Sequence, residues 1–378
     1  MNISVLENNV VSILKIRGKL INELEAKGHK VVILTSGSRQ DMQMAKEKGF
    51  AIVDVGTSVK NPCDIIRYLF RIYRTLRKSK TDICLTFTIR PAIWGNIVTR
   101  ILGIPTVTNI TGVGPLFTSN DIAYRGARFL YKLSLAKTAK VFFQNNDDMN
   151  MFLNENLTTP KVSERIPGSG VDCDYYSPRE KASEAGKFKF LYIGRLLKDK
   201  GVIEYVTAAR KMKVEHPDSE FSILGSFWSQ NLKDNSITEK EVDQWKNENI
   251  INYMGEAEDV RSYISESDCL VLPSYREGLS NVLLEASSME IPCIASDTIG
   301  CREIIEDEIT GFHCTVRDAN DLFEKMKKMY SLPKDVRRDM GKRARQKVAN
   351  EYSKQIVIDA YLRVIDEIMG NKDTASMK

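Results

Sequence analysis

The residues Glu277-Gly278-Leu279-Ser280-Asn281-Val282-Leu283-Leu284-Glu285 closely follow the apolar run Cys269 to Leu272, in the order strand, turn and helix. Gly278 lets the backbone approach a ligand. Ser280 is suited to cap a helix whose free N–H groups favour an anion such as a diphosphate. Glu277 in the loop and Glu285 in the first helical turns offer two carboxylates that accept hydrogen bonds from vicinal hydroxyls, which sugars and ribose supply. Taken alone, the same residues also describe a capped surface helix with two solvated glutamates.

A second cluster opens the same half of the chain. The apolar run Phe188 to Ile193 leads into Gly194-Arg195-Leu196-Leu197-Lys198-Asp199-Lys200-Gly201. Arg195 offers a planar fork of donors and Lys200 a point charge, enough together to offset much of a departing diphosphate's charge without a metal ion. Both fall at a strand's carboxyl end. The competing reading is a pair of solvated surface charges.

The two motifs, with Glu277 and Glu285 seven residues apart, resemble retaining glycosyltransferase family 4, and the resemblance covers nearly the whole chain. It implies a GT-B fold: α/β, with two doubly wound Rossmann-like domains and the active site in the cleft between them. Arg195 and Lys200 would hold the donor diphosphate and Glu285 the ribose hydroxyls. Glu277 would touch the donor sugar, helped by the backbone of Gly278, Leu279, Ser280 and Asn281. Arg195, Lys200 and Glu277 are the implied catalytic residues. The later Gly300-Cys301-Arg302-Glu303-Ile304-Ile305 and Thr310-Gly311-Phe312 resemble the family's closing elements.

The amino-terminal half resembles a bacterial subgroup that extends saccharides on polyprenyl-diphosphate carriers. The matching pieces are Lys15-Ile16-Arg17-Gly18, Thr86-Phe87-Thr88-Ile89-Arg90-Pro91, Thr111-Gly112-Val113-Gly114 and Gln144-Asn145-Asn146-Asp147-Asp148. Many family members place a histidine on the acceptor side, where this chain reads Thr88-Ile89-Arg90. The only histidines are His29, His216 and His313, and no general base is assigned. Arg17, Thr88, Arg90, Thr111, Gly112 and Gly114 are the acceptor-side candidates. Gly112 and Gly114 would let a ligand approach the backbone or simply make a tight connection; Arg17 would face the cleft or lie exposed on its helix.

These residues need a scaffold, and the pattern supplies one. Short β-branched runs alternate with helical stretches: Ile3 to Leu6, a helix near Lys15 to Lys27, Lys30 to Thr35, Ala51 to Val55, Asp82 to Phe87, Thr106 to Ile110 and Val141 to Gln144. The rhythm restarts at Phe188 to Ile193 and continues through Phe221 to Leu224, Ile250 to Met254, Cys269 to Leu272 and Cys293 to Ala295. The expected domains are 1–177, binding acceptor, and 188–353, binding the nucleotide sugar. A terminal helix at 354–370 would follow and pack across either domain, with a return to the first as one option, and the tail Gly370 to Lys378 is expected to be disordered.

Composition agrees. With 378 residues, 42% hydrophobic and 28% charged, the chain fits two soluble α/β domains. No apolar run reaches the roughly 18 residues that cross a bilayer, and no signal core is visible, so a cytoplasmic enzyme is expected. Its seven cysteines read as reduced thiols, and a net charge of +5 is too small to argue for nucleic acid.

The distribution of charge is more telling. Between Asp64 and Lys80, Ile65, Leu69, Ile72, Tyr73 and Leu76 repeat at helical spacing, with Arg67, Arg71, Arg74 and Lys78 opposite. A second segment, 122–140, carries Arg125, Arg128, Lys132, Lys137 and Lys140 without an acidic residue. Either is an ordinary solvated face, or together they hold the enzyme at the anionic inner face of the cell membrane. The resulting expectation is metal-independent, retaining transfer of a sugar from a UDP-sugar to a lipid-linked saccharide. The rivals are a soluble acceptor, a nucleotide-sugar epimerase of the same architecture, and a sugar-binding protein without catalysis.

Overall fold

A computed structural model describes residues 1–56, 62–112, 122–181, 186–228 and 235–376. The chain divides into two compact units, Met1–Ser169 with Ile356–Lys378, and Gly170–Gln355.

The first unit is built on a sheet of seven parallel strands: β1 (Asn2–Leu6), β2 (Lys30–Thr35), β3 (Ile52–Asp54), β4 (Ile83–Phe87), β5 (Thr106–Ile110), β6 (Lys140–Phe143) and β7 (Ser163–Arg165). Their order is β3-β2-β1-β4-β5-β6-β7, so the direction of winding reverses between β1 and β4. Ligands of open α/β sheets bind outside the strand ends at such a switch point. The central strands are apolar on both faces because helices cover both, which is why Ile83, Cys84, Leu85 and Phe87 are all buried. One polar cluster at the sheet is internally paired: Thr86 Oγ1 lies 2.9 Å from Thr108 Oγ1, and Asn96 Nδ2, from the helix Asn96–Leu102, donates to Thr108 Oγ1 at 2.8 Å.

The last helix, Lys354–Ser376, completes this unit. Val357, Ile358, Tyr361, Val364 and Ile365 join the core formed by Ile3, Ile33, Leu85 and Phe142. Tyr361 packs edge-on against Phe142 at 4.9 Å and accepts a hydrogen bond from Asn109 Nδ2 at 2.9 Å. The helix runs on to Ser376, so the expectation of a disordered tail from Gly370 is corrected.

The second unit carries six parallel strands: β8 (Phe188–Ile193), β9 (Ser219–Leu224), β10 (Asn252–Tyr253), β11 (Cys269–Leu272), β12 (Cys293–Ser296) and β13 (Gly311–Cys314), in the order β10-β9-β8-β11-β12-β13. The switch point here lies between β8 and β11. Those are the strands that lead into the two motifs. Chain segment 170–177, placed with the first domain by sequence, belongs to this unit: Val171 N donates to Tyr352 O, and Lys354 N donates to Val171 O, both at 2.9 Å. The cysteines are free thiols, and burial pushes those of Cys293 and Cys314 up to about 12.

Candidate active site

In the second unit, β8 ends at Ile193 and the chain turns through Arg195 to Lys200 before Gly201 opens the helix Val202–Glu215. Gly201 has φ 74°, and a Cβ there would lie 2.0 Å from Pro273 O, so only glycine makes this turn beneath β11. The turn is held from inside by buried Tyr192, whose hydroxyl donates toward Arg195 O at 3.3 Å and Lys200 O at 3.2 Å. Lys200 is thereby aimed at Glu277. Its Nζ lies 2.7 Å from Glu277 Oε1, with the two side chains only 14% and 18% exposed. Arg195 is exposed, its guanidinium stacked 4.6 Å from the Trp228 ring centroid.

Ser280 caps the helix Asn281–Ser288, accepting from Leu283 N at 3.4 Å. The loop ahead of it is tied to a second loop: Glu277 N donates to Ile299 O at 3.0 Å and Ser280 N to Gly300 O at 2.9 Å. Gly300, at φ 79°, sits so close that a Cβ would meet Glu277 O at 2.6 Å. The side chain of Leu279 is 7% exposed and lies in the apolar core, which leaves only its backbone for a ligand. Gly278 and Asn281 are half-buried beside it.

Glu285, half-buried on that helix, accepts a hydrogen bond from the Tyr176 hydroxyl. Burial first, and the Glu285 charge second, push the Tyr176 phenol well above its ordinary range. The backbone of Tyr176 is pinned as well: its carbonyl accepts from Ser288 Oγ at 2.7 Å and Arg345 Nη1 at 3.3 Å. The structure thus gathers Arg195, Lys200, Glu277, Ser280 and Glu285 on the loops and helix that follow β8 and β11. It adds Trp228 and Tyr176, which carried no sequence signal beyond being aromatic residues in polar segments.

The acceptor-side candidates belong to the first unit, around the carboxyl ends of β1, β4 and β5. Arg17 is neither exposed nor free. It is 5% exposed, its Nη1 donates to Ser169 Oγ at 2.9 Å, its guanidinium lies 4.2 Å from the Phe87 ring centroid, and its Nε stands 3.5 Å from Glu7 Oε2. Glu7, which the sequence reading passed over, is 1% exposed at the end of β1, and Asn8 N donates to its Oε1 at 2.9 Å. Burial pushes the Glu7 carboxyl up, and Arg17, Asn8 and Thr88 pull it back down.

Thr88 has φ 67°, an outlier for a β-branched residue and the kind of strain that gathers at functional sites. Both helices that leave the switch point contain π-helical turns near their starts, Ile13–Arg17 after the α-turn Val10–Ser12 and Pro91–Gly95, a feature also enriched at functional sites. Arg90 is exposed, Thr111 and Gly112 are half-buried, and Gly112 has φ 134°. Gly114 lies outside the described residues.

The second unit thus brings together positive groups at one strand end, a capped helix start and two carboxylates. Known proteins match along the chain. A family model described as glycosyl transferases group 1 matches residues 177–347, and one described as glycosyl transferase 4-like matches residues 8–145. The chain is 28% identical over 304 residues, 76% of each chain, to the UDP-Gal:alpha-D-GlcNAc-diphosphoundecaprenol alpha-1,3-galactosyltransferase of Escherichia coli. It is 24% identical over 395 aligned positions, 98% of this chain and 100% of the other, to the N,N'-diacetylbacillosaminyl-diphospho-undecaprenol alpha-1,3-N-acetylgalactosaminyltransferase of Campylobacter jejuni.

Among solved structures, a glycosyltransferase from Rickettsia africae superposes with a TM-score of 0.78 at 21% identity, covering 98% of this chain and 99% of that one. HepE of Anabaena, solved with UDP and glucose, superposes with a TM-score of 0.80 at 14% identity, covering 97% and 100%. Two Rossmann-like units of this kind define the GT-B fold. The chain belongs to glycosyltransferase family 4.

Proposed function

We propose that this enzyme moves a hexose or N-acetylhexosamine from a UDP-sugar to a hydroxyl of a saccharide carried on a polyprenyl diphosphate, with retention of anomeric configuration. The observation that carries the reading is the Lys200–Glu277 pair at the switch point of the second unit, with Arg195 on the same turn. In this reading an incoming donor diphosphate draws Lys200 and Arg195 to its oxygens. Glu277, released from Lys200, accepts hydrogen bonds from hydroxyls of the donor sugar, and Glu285 accepts those of the ribose. The N–H groups at the start of Asn281–Ser288 would complement the same anion.

Positive charge fixed in place before reaction is worth most where charge develops, here on the departing diphosphate. Arg195 and Lys200 supply it without a metal ion, and turnover is expected to persist in excess chelator. The acceptor end of the reading is supported by the two relatives above, both named for diphosphoundecaprenol-linked acceptors. Thr88, Arg90, Thr111 and Gly112 in the first unit are the groups assigned to that acceptor, whereas Arg17 is buried against Ser169, Phe87 and Glu7.

The test is direct assay of the purified chain against a panel of UDP- and GDP-sugars, with a synthetic polyprenyl-diphosphate GlcNAc as acceptor. An α-linked disaccharide product from a UDP-sugar, formed equally with and without chelator, is the expected result. Turnover only with GDP-sugars, or strict dependence on added magnesium or manganese, would overturn the corresponding part.

A further inference from the structure

The outer face of the Pro62–Lys78 helix, read from sequence as purely cationic, is not. Ile66 and Phe70 project from it at 66% and 61% exposure, one turn apart and therefore adjacent. The next helix, Asn96–Leu102, exposes Ile101 at 71%, and the one beyond, Ile122–Leu135, exposes Phe129 at 67% and Leu133 at 41%. These three helices pack side by side on the first unit's sheet. Arg100 Nη1 donates to Leu133 O at 3.1 Å and stitches the second to the third. Large apolar side chains this exposed on adjacent elements mark an interaction surface rather than ordinary solvated helices.

The cations identify the partner. Some that the sequence reading relied on are engaged within the protein: Arg67 lies 3.6 Å from Asp64, Arg128 lies 2.8 Å from Glu155, and Arg71 donates to Val55 O at 3.4 Å. Arg74, Lys78 and Lys132 remain exposed among the apolar groups. Apolar side chains rimmed by cations complement a partner that is anionic at its surface and apolar behind it, which describes a bilayer leaflet rather than a protein groove.

We propose that Ile66, Phe70, Ile101 and Phe129 insert into the acyl boundary of an anionic membrane while Arg74, Lys78 and Lys132 lie at its headgroups. Attachment is therefore hydrophobic and salt-resistant, with charge serving to attract and orient. The proposal deepens the lipid-linked acceptor reading and rests on it for its purpose, yet its test does not require catalysis.

Sedimentation with phosphatidylglycerol-containing vesicles decides it. In about 1 M salt, where the Debye length falls to about 3 Å, the wild-type chain should remain largely bound. A variant with Ile66→Ser, Phe70→Ser, Ile101→Ser and Phe129→Ser should lose about 100-fold in partitioning at any salt concentration. Reversal of Arg74, Lys78 and Lys132 to glutamate should weaken binding mainly at low salt. Full release of the wild-type chain at high salt overturns the proposal, as does unchanged sedimentation of the serine variant. So does a self-association lost in that variant while vesicle binding is absent from both, which would assign the face to a second copy. The serine variant should process a short soluble acceptor at the wild-type rate. If neither chain transfers sugar and the vesicle results hold, the transfer reading fails and the membrane inference stands.

Discussion

Lys200 Nζ and Glu277 Oε1 are 2.7 Å apart, joining the turn after β8 to the loop after β11 within one shielded ion pair. Each residue occupies the place where the other would otherwise leave an uncompensated charge. Removing Lys200 deletes the proposed diphosphate contact and strands Glu277. Lys200→Ala is expected to lower kcat by about 100-fold or more, and Glu285→Ala to lower kcat/KM for the donor comparably, while circular dichroism stays native. Near-normal turnover by either variant, measured by donor-sugar release, would remove that residue from the donor site.

Gly300→Ala makes a complementary test that leaves every charged group in place. At φ 79°, a Cβ would press on Glu277 O at 2.6 Å and force the loop bearing Glu277 to move. Turnover should fall at least about 10-fold with the secondary structure intact, since a displacement near 1 Å in a positioning loop is costly. If Gly300→Ala keeps full activity, Glu277 does not need the position it holds.

Tyr176→Phe removes the hydroxyl that donates to Glu285 and little else, because the Tyr176 backbone remains tied to Ser288 and Arg345. A hydrogen bond to a charged group contributes about 1.5–3 kcal/mol, so the affinity for UDP should drop about 10-fold. The donor KM is expected to rise with kcat little changed. Calorimetric titration with UDP checks the first statement and steady-state kinetics the second; a loss confined to kcat would contradict both.

Glu7 predicts a pH signature. Its folded-state pKa is raised by burial, so folding favours its protonated form. The stability this gives is complete below the unfolded pKa and is lost as pH rises through the higher folded value. The glutamine variant, Glu7→Gln, has no proton to lose there. Between pH 4 and 7 the wild-type urea midpoint should therefore decline relative to that of Glu7→Gln; a relative increase would mean that Arg17 outweighs burial.

Much of the scaffold could be read from the chain because each central strand is a local apolar run with helices between, as in Ile83 to Phe87 or Cys269 to Leu272. The misses were edge strands: Ser163–Arg165 is polar, and Gly311–Cys314 begins with glycine and carries a histidine, so neither has the apolar run of a strand buried on both faces. The same logic governs the site. Arg195, Lys200, Glu277, Ser280 and Glu285 sit in contiguous motifs, whereas Arg17 meets Ser169 across 152 positions and Glu7 stands before two asparagines, like any solvated loop. Helical periodicity found the buried stripe of Pro62–Lys78 but could not separate a solvated outer face from one bearing Ile66 and Phe70.

The Lys354–Ser376 helix has a bearing on how the protein is made. The first unit starts to leave the ribosome before the second, yet its core lacks Val357, Ile358, Tyr361, Val364 and Ile365 until that helix has been translated. The Gly170–Gln355 unit, continuous in sequence, has all its own parts earlier. Synthesis order and folding order are thus inverted: of the two units, the one begun first is completed second, and until then Asn109 waits in an open core for the Tyr361 hydroxyl that accepts its hydrogen bond.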